Sequence, residues 1–313
     1  MTETSTSTKI EQALKILSQG GLIGLPTETV YGLAGDARNP RAVTSIYALK
    51  KRPQFNPLIA HVPDMDSAER EAVFSELGYQ LADAFWPGPL TLVLPVSKTN
   101  SVCSLARSGL DTQALRCPAH SMARTILSEF GAPLTAPSAN RSGKISPTRA
   151  AHVHEEFGAD LPCILDGGAS VLGLESSVIR IDGDKATLLR AGSLDRQKIE
   201  DVIGPIAIAG SDNDAPRSPG MLSRHYSPDA KLRLNAELPE PGEAFLAFGT
   251  SPVGTTLNLS ESGDVNEAAA NLFDMLRTLD NRHNAIAVAP IPETGLGEAI
   301  NDRLRRAATS DQN

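Results

Sequence analysis

A chain of 313 residues has room for one large domain or two ordinary ones. Hydrophobic residues make up 41% and charged residues 21%, which supports a packed core and excludes global disorder. The formal net charge of -8 argues against a protein that coats nucleic acid, while leaving a local basic cleft open. Cys103, Cys117 and Cys163 are too few and too far apart for a disulfide framework or a zinc site. The polar N-terminus lacks the apolar segment of a secretory signal, and no run is long and apolar enough to span a bilayer. A cytoplasmic protein with no membrane partner is expected.

Ile10, Ala13, Leu14 and Leu17 recur at helical spacing and predict a helix over 9–19, stopped by Gly20-Gly21. A short buried strand is expected over 21–25. Asn39 and Pro40 read as the cap and first residue of a helix that ends at Lys50-Lys51-Arg52. Residues 56–62 read as a strand, 66–85 as one long helix, and 90–96 and 112–118 as strands. A helix near 120–130 precedes a strand that opens into a loop over 132–140. A helix near 148–157, a strand over 163–168, two strands within 177–190 and a helix over 194–203 follow. Strands and helices interleave without strict alternation, which predicts an α/β fold with a mixed sheet.

Residues 206–230 are rich in Gly, Pro, Ser, Asn and Asp and read as a linker. Beyond them, strands over 244–249, 256–260 and 285–291 alternate with helices over 264–280 and 297–308. This predicts a small parallel α/β domain over 231–313, after a first domain over 9–205.

Chemistry collects at the strand ends of the first domain. In open α/β sheets, ligands bind beyond the carboxyl ends of strands. Those positions carry Thr27, Glu28, Thr29 and Tyr31, then His61, then Arg116, then Ser138 and Asn140. Polar turns are ordinary, but their repetition with different chemistries points to a site. The cations Lys50, Lys51 and Arg52 suit a helix C-terminus, and equally an anion clamp. "SANRSGKIS" (138–146) fails as a Walker loop, because Ser138 replaces the first Gly and Ile145 follows Lys144, yet it is dense in phosphate donors. Arg190 ends an apolar strand and needs an anionic partner, either Glu175 or a ligand. His152 and His154 lie two apart on a helix and share no face, so they are not a metal pair.

Together these stretches resemble a known family. "PTETVYGL", "KKRPQFNPLIAHV", "ALRCP", "APSAN.SG", and "ESSVI" followed by "LLRAG" are similar, in register over residues 10–205, to the YrdC-type domain of threonylcarbamoyl-AMP synthases. "SPGMLSRHYSP" (218–228) resembles the linker of that family's longer, two-domain form. The resemblance implies an open, twisted mixed sheet with a concave basic cleft, and a reaction of L-threonine, bicarbonate and ATP to threonylcarbamoyl-AMP and pyrophosphate. A separate transferase complex would then modify the adenosine beside the tRNA anticodon, with at most weak tRNA contact by this chain. By that resemblance, Thr29, His61, Arg116, the backbone at Ala136, and Ser176 would hold L-threonine. Arg52, Asn56, Thr112, Ser138, Ser146 and Arg190 would hold ATP. Tyr226 would close over the nucleotide as a lid. Lys50 and Arg52 would serve catalysis near the phosphates. Mg2+ would be held mainly by the ATP phosphates, with no protein metal cage. Two other readings of the same fold stay open: an RNA-binding module, and a sensor of nucleotide or amino acid.

Overall fold

The computed structural model describes residues 3–209, 226–250 and 254–309. Helix α1 (Glu3–Ser18) buries Ala13 and Leu17 against α5 (Ser121–Phe130), which presents Ala123, Ile126 and Leu127. Strand β1 (Ile23–Leu25) pairs antiparallel with β2 (Gly32–Asp36). Asn39 caps α2 (Pro40–Lys50) by accepting from Arg41 N, and Lys51 ends it in the left-handed region. Strand β3 (Ala60–His61) follows. The long helix expected over 66–85 is two, α3 (Met65–Glu71) and α4 (Glu76–Phe85). Ala72 between them is drawn out into an antiparallel bridge with Val96.

Strands β4 (Leu90–Pro95), β5 (Thr112–Arg116) and β6 (Leu134–Thr135), helix α6 (Ala150–Phe157), the hairpin β7 (Ser177–Asp182) and β8 (Lys185–Arg190), helix α7 (Arg196–Ile203) and β9 (Ala207–Ile208) complete the first unit. The nine strands form one open mixed sheet in the order β1-β2-β6-β3-β5-β4-β7-β8-β9. β9 pairs with β8 and so lies beyond the boundary placed at 205. The strand expected over 163–168 shrinks to one bridge between Ile164 and Gly24. The chain turns away at once, with Asp166 accepting from Gly168 N.

The second unit holds β10 (Lys231–Arg233), β11 (Ala244–Ala247), β12 (Leu257–Asn258), α8 (Val265–Asp280), β13 (Ala285–Val288) and α9 (Leu296–Ala308). Its four strands are all parallel, in the order β10-β13-β11-β12. Ala244, Leu246, Ile286 and Val288 face α8 and α9. That apolar cluster also takes in Val30, Ile145 and Leu174 of the first unit, which directly adjoin Thr29, Ser146 and Glu175. Gly173 lets α8 come close: a Cβ there would sit 2.5 Å from the Ala269 carbonyl oxygen. Most of the linker, residues 210–225, lies outside the described residues. Among the described residues, no helix is long and apolar enough to cross a membrane.

Candidate active site

The turn after β1 arranges its own polar groups first. Thr27 Oγ1 donates to Val30 O at 2.6 Å and lies 2.8 Å from Thr29 Oγ1. Tyr31 is fully buried; its hydroxyl donates to Gly168 O at 2.7 Å and accepts from Gly167 N. Burial pushes its phenol up to about 12, so Tyr31 is a neutral pin between two loops. Glu28 turns to Arg116, with Oε1 2.5 Å from Nη2. Burial would raise its carboxyl, but the Arg116 guanidinium and two backbone N–H groups together make the net shift downward.

Arg116, at the end of β5, is the hub of one end of the cleft. Its Nη1 donates to Thr29 Oγ1 at 2.8 Å and its Nε to Gly88 O. His61, the residue paired with Arg116 across β3 and β5, faces the same cavity. Burial, then Arg116, pushes the imidazole down to about 3, so it is neutral at physiological pH. Ser176 hydrogen-bonds Thr91 at 2.7 Å, and its carbonyl accepts from Arg190 Nη2 at 2.9 Å. Ala136 and Ser138 form the rim between these groups.

The other end is cationic. Arg52 donates from Nε to Asn56 O and from Nη2 to Pro57 O. Burial, with Arg190 nearby, lowers it to about 10. Arg190 is also buried and shifted downward, chiefly by desolvation. Two buried guanidiniums in one cleft make an anion receptor. Glu175 lines the same cavity and accepts from Ser146 Oγ at 2.6 Å. Gly192 permits this packing, because a Cβ there would lie 2.4 Å from the Glu175 carbonyl oxygen.

Eight of the expected residues therefore line one cavity: Thr29, Arg52, His61, Arg116, Ala136, Ser138, Ser176 and Arg190. The other five stand at varying remove. Asn56 is fully buried beside Arg52, and its side-chain amide has no partner among the described residues. Ser146 reaches the cavity through Glu175. Thr112 shares the face of β5 with Arg116 but sits about 13 Å along the strand. Tyr226 belongs to the core of the second unit, stacked on Phe273 at 5.4 Å, while its charge environment includes Arg190. Lys50 departs from expectation. Its Nζ donates to Ser138 O and Asn140 O, both at 2.5 Å, and it does not line the cavity. Burial, then Arg52, drives the amine well below the lysine range. Lys50 thus buttresses the 138–140 loop. Sequence reading missed Arg303, whose Nε lies 3.2 Å from Glu175 Oε2. One signal was present: Arg303 interrupts the apolar stripe Leu296, Ala299, Ile300, Leu304, Ala307 of α9.

The chain matches two family models, one described as "Telomere recombination" over residues 15–192, the other as "Threonylcarbamoyl-AMP synthase, C-terminal domain" over residues 194–309. It is 38% identical to the threonylcarbamoyl-AMP synthase of Bacillus subtilis, over 96% of this chain and 93% of the relative. The crystal structure of P. abyssi Sua5 complexed with L-threonine superposes with a TM-score of 0.88 at 39% identity, covering 96% of this chain and 94% of the other. A shorter relative, the threonylcarbamoyl-AMP synthase of Photobacterium profundum, is 32% identical and matched over 98% of its length by 58% of this chain. Near-complete coverage by long relatives, in both units, shows that the chain belongs to the threonylcarbamoyl-AMP synthase family.

Proposed function

We propose that the chain is an L-threonylcarbamoyladenylate synthase, a nucleotidyltransferase that converts L-threonine, bicarbonate and ATP to threonylcarbamoyl-AMP and pyrophosphate. The observation that carries this is the convergence of Arg52, Arg116 and Arg190 with Thr29, His61, Ser138 and Ser176 on one cavity, in a chain matched along its length by synthases. Arg116, with two of its nitrogens already turned toward Thr29 and Glu28, offers its remaining N–H groups to the threonine carboxylate. Thr29, Ser176, neutral His61 and the backbone at Ala136 hold the rest of the amino acid. Arg52, Arg190 and Ser138 hold the phosphates, with Asn56 and Ser146 beside them. Thr112 and Tyr226 belong to the wider nucleotide surface.

The chemistry asks for positioning more than for covalent help. The threonine amine adds to bicarbonate and loses water, giving a carbamate. A carbamate oxygen attacks the α-phosphorus of ATP, the bond to the bridging oxygen breaks, and pyrophosphate leaves. Arg52 and Arg190 offset the charge that builds on the phosphates. Water exclusion protects the carbamate and the mixed anhydride. Among the described residues, no three His, Cys, Asp or Glu side chains gather as a metal cage. A magnesium ion would come bound mainly to the triphosphate oxygens. The product would pass, in the cytoplasm, to a threonylcarbamoyl transferase acting on tRNA.

Pyrophosphate release by the purified chain tests the reading. Release that needs bicarbonate and L-threonine together is the expected result. Release with any amino acid, or none with ATP bound, would overturn it.

A further inference from the structure

Glu175 poses a problem for a cleft that binds anions. Its carboxylate lines the same cavity as Arg52 and Arg190, where a fixed negative charge repels phosphate. Ser146 Oγ holds one oxygen. The other meets Arg303 Nε, 128 residues further along the chain, on α9. Arg303 is 1% exposed. Its Nη1 donates to Ala191 O at 2.6 Å and to Asp302 Oδ2 at 3.0 Å. Its guanidinium lies 5.4 Å over the Tyr226 ring. A guanidinium so deeply buried is costly without a matched anion, and Glu175 provides one.

The surroundings support a directed contact rather than an incidental one. Val30, Ile145 and Leu174, each next to a cleft residue, pack into the apolar cluster of α8 and α9. Arg277 of α8 donates to Ile145 O, one residue before Ser146. Asp274 of α8 pairs with Arg149 and His152 at the start of α6. The second unit thus grips the loops that carry Ser146 and Glu175.

We infer that Arg303 is a positioning residue for the nucleotide end of the cleft. It holds the Glu175 carboxylate against Ser146 and offsets its charge beside Arg52 and Arg190, so that the C-terminal unit completes the site. The inference rests on the reading that this cleft takes ATP and L-threonine.

The test uses the full chain and compares Arg303→Met, Arg303→Lys and Arg303→Met with Glu175→Gln. Pyrophosphate release gives KM for each substrate, calorimetry gives ATP binding, and circular dichroism checks folding. Arg303→Met should raise the ATP KM about ten- to a hundredfold, the worth of a hydrogen bond to a charged group. The L-threonine KM should change by less than about threefold. Arg303→Lys should fall between, because an ammonium keeps the charge but not the fork that spans Glu175 and Ala191 O. Adding Glu175→Gln should recover at least about fivefold of the loss, since it removes the negative charge beside the phosphates. A merely structural contact would cost both substrates equally and show no such recovery, and that result overturns the proposal. So does an unchanged ATP KM in Arg303→Met. If Arg303→Met does not fold, Arg303→Lys decides: an ATP KM raised by about threefold or more with L-threonine unaffected supports the proposal, and an unchanged one overturns it. Failure of the wild-type chain to release pyrophosphate would count against the synthase reading alone. Calorimetric ATP binding to the same variants would then still decide the role of Arg303.

Discussion

Arg116 is committed on three sides inside the protein, to Glu28, Thr29 and Gly88 O. Replacing it by Ala therefore has two separable effects. L-Threonine use should weaken by about ten- to a hundredfold while the ATP KM moves little. The protein should also lose about 3–5 kcal/mol of stability, because Glu28 is left buried and unpaired. Adding Glu28→Gln should restore the stability and not the threonine use; equal kinetic losses for both substrates would count against the assignment. His61 gives a pH prediction. Its folded value of about 3 lies below the ordinary 6.5, so the unfolded chain binds the extra proton between those limits. Stability from the neutral imidazole is present above 6.5 and is lost as pH falls through that window, by up to about 5 kcal/mol. Thermal unfolding between pH 7 and 4 should decline less steeply in His61→Gln than in the wild type. Parallel declines would mean that His61 is not held neutral. These residues were legible because each ends a strand, where period-two alternation sets which face a side chain takes. Lys50 was less legible for the converse reason. Sequence placed it at the end of α2 but said nothing of its direction, and two loop carbonyls accept from its amine.

At the scale of elements, the sequence carried what depends on local chemistry. The Asn39-Pro40 start of α2 and the apolar stripes of α1, α8 and α9 were readable from propensity and period. Strand β2 was not, because Gly-Leu-Ala-Gly-Asp reads as a turn until β1 and β6 flank it. The reverse error at 163–168 has the same origin: apolar residues suggest a strand, but only Ile164 finds a partner. The close seat of α8 on the loop before Glu175 was equally hidden, since Gly173 looks like any loop glycine. Its φ of 69° and the 2.5 Å approach of the Ala269 carbonyl to a Cβ make it the least replaceable residue of that contact. Gly173→Ala should cost at least about 2 kcal/mol in urea unfolding, from left-handed strain and the clash together. It should also raise the ATP KM, by displacing Glu175. Wild-type values for both would show that α8 does not press on this loop.

At the scale of the molecule, the two-unit plan was visible in composition, while the way the units meet was not. Contacts such as Arg303 with Glu175 join residues 128 apart, beyond any local signal. The shorter relative from Photobacterium profundum is matched over 98% of its length by 58% of this chain, fewer residues than the first unit holds. In this chain the first unit gives Val30, Ile145 and Leu174 to the core of the second. Truncation before Ser218 would expose Val30, Ile145 and Leu174 and remove Arg303 from Glu175. The nine-stranded sheet keeps its own separate cores, with Ile46, Leu92 and Leu115 in one and Leu25, Ile126 and Leu134 in another, so the truncated chain should fold. Its pyrophosphate release should fall by about tenfold or more at limiting ATP, because the carboxylate that Arg303 held faces the phosphates. Saturating ATP should recover part of that loss, as expected when binding rather than chemistry is impaired. Undiminished release at limiting ATP would mean that the second unit is dispensable to the cleft.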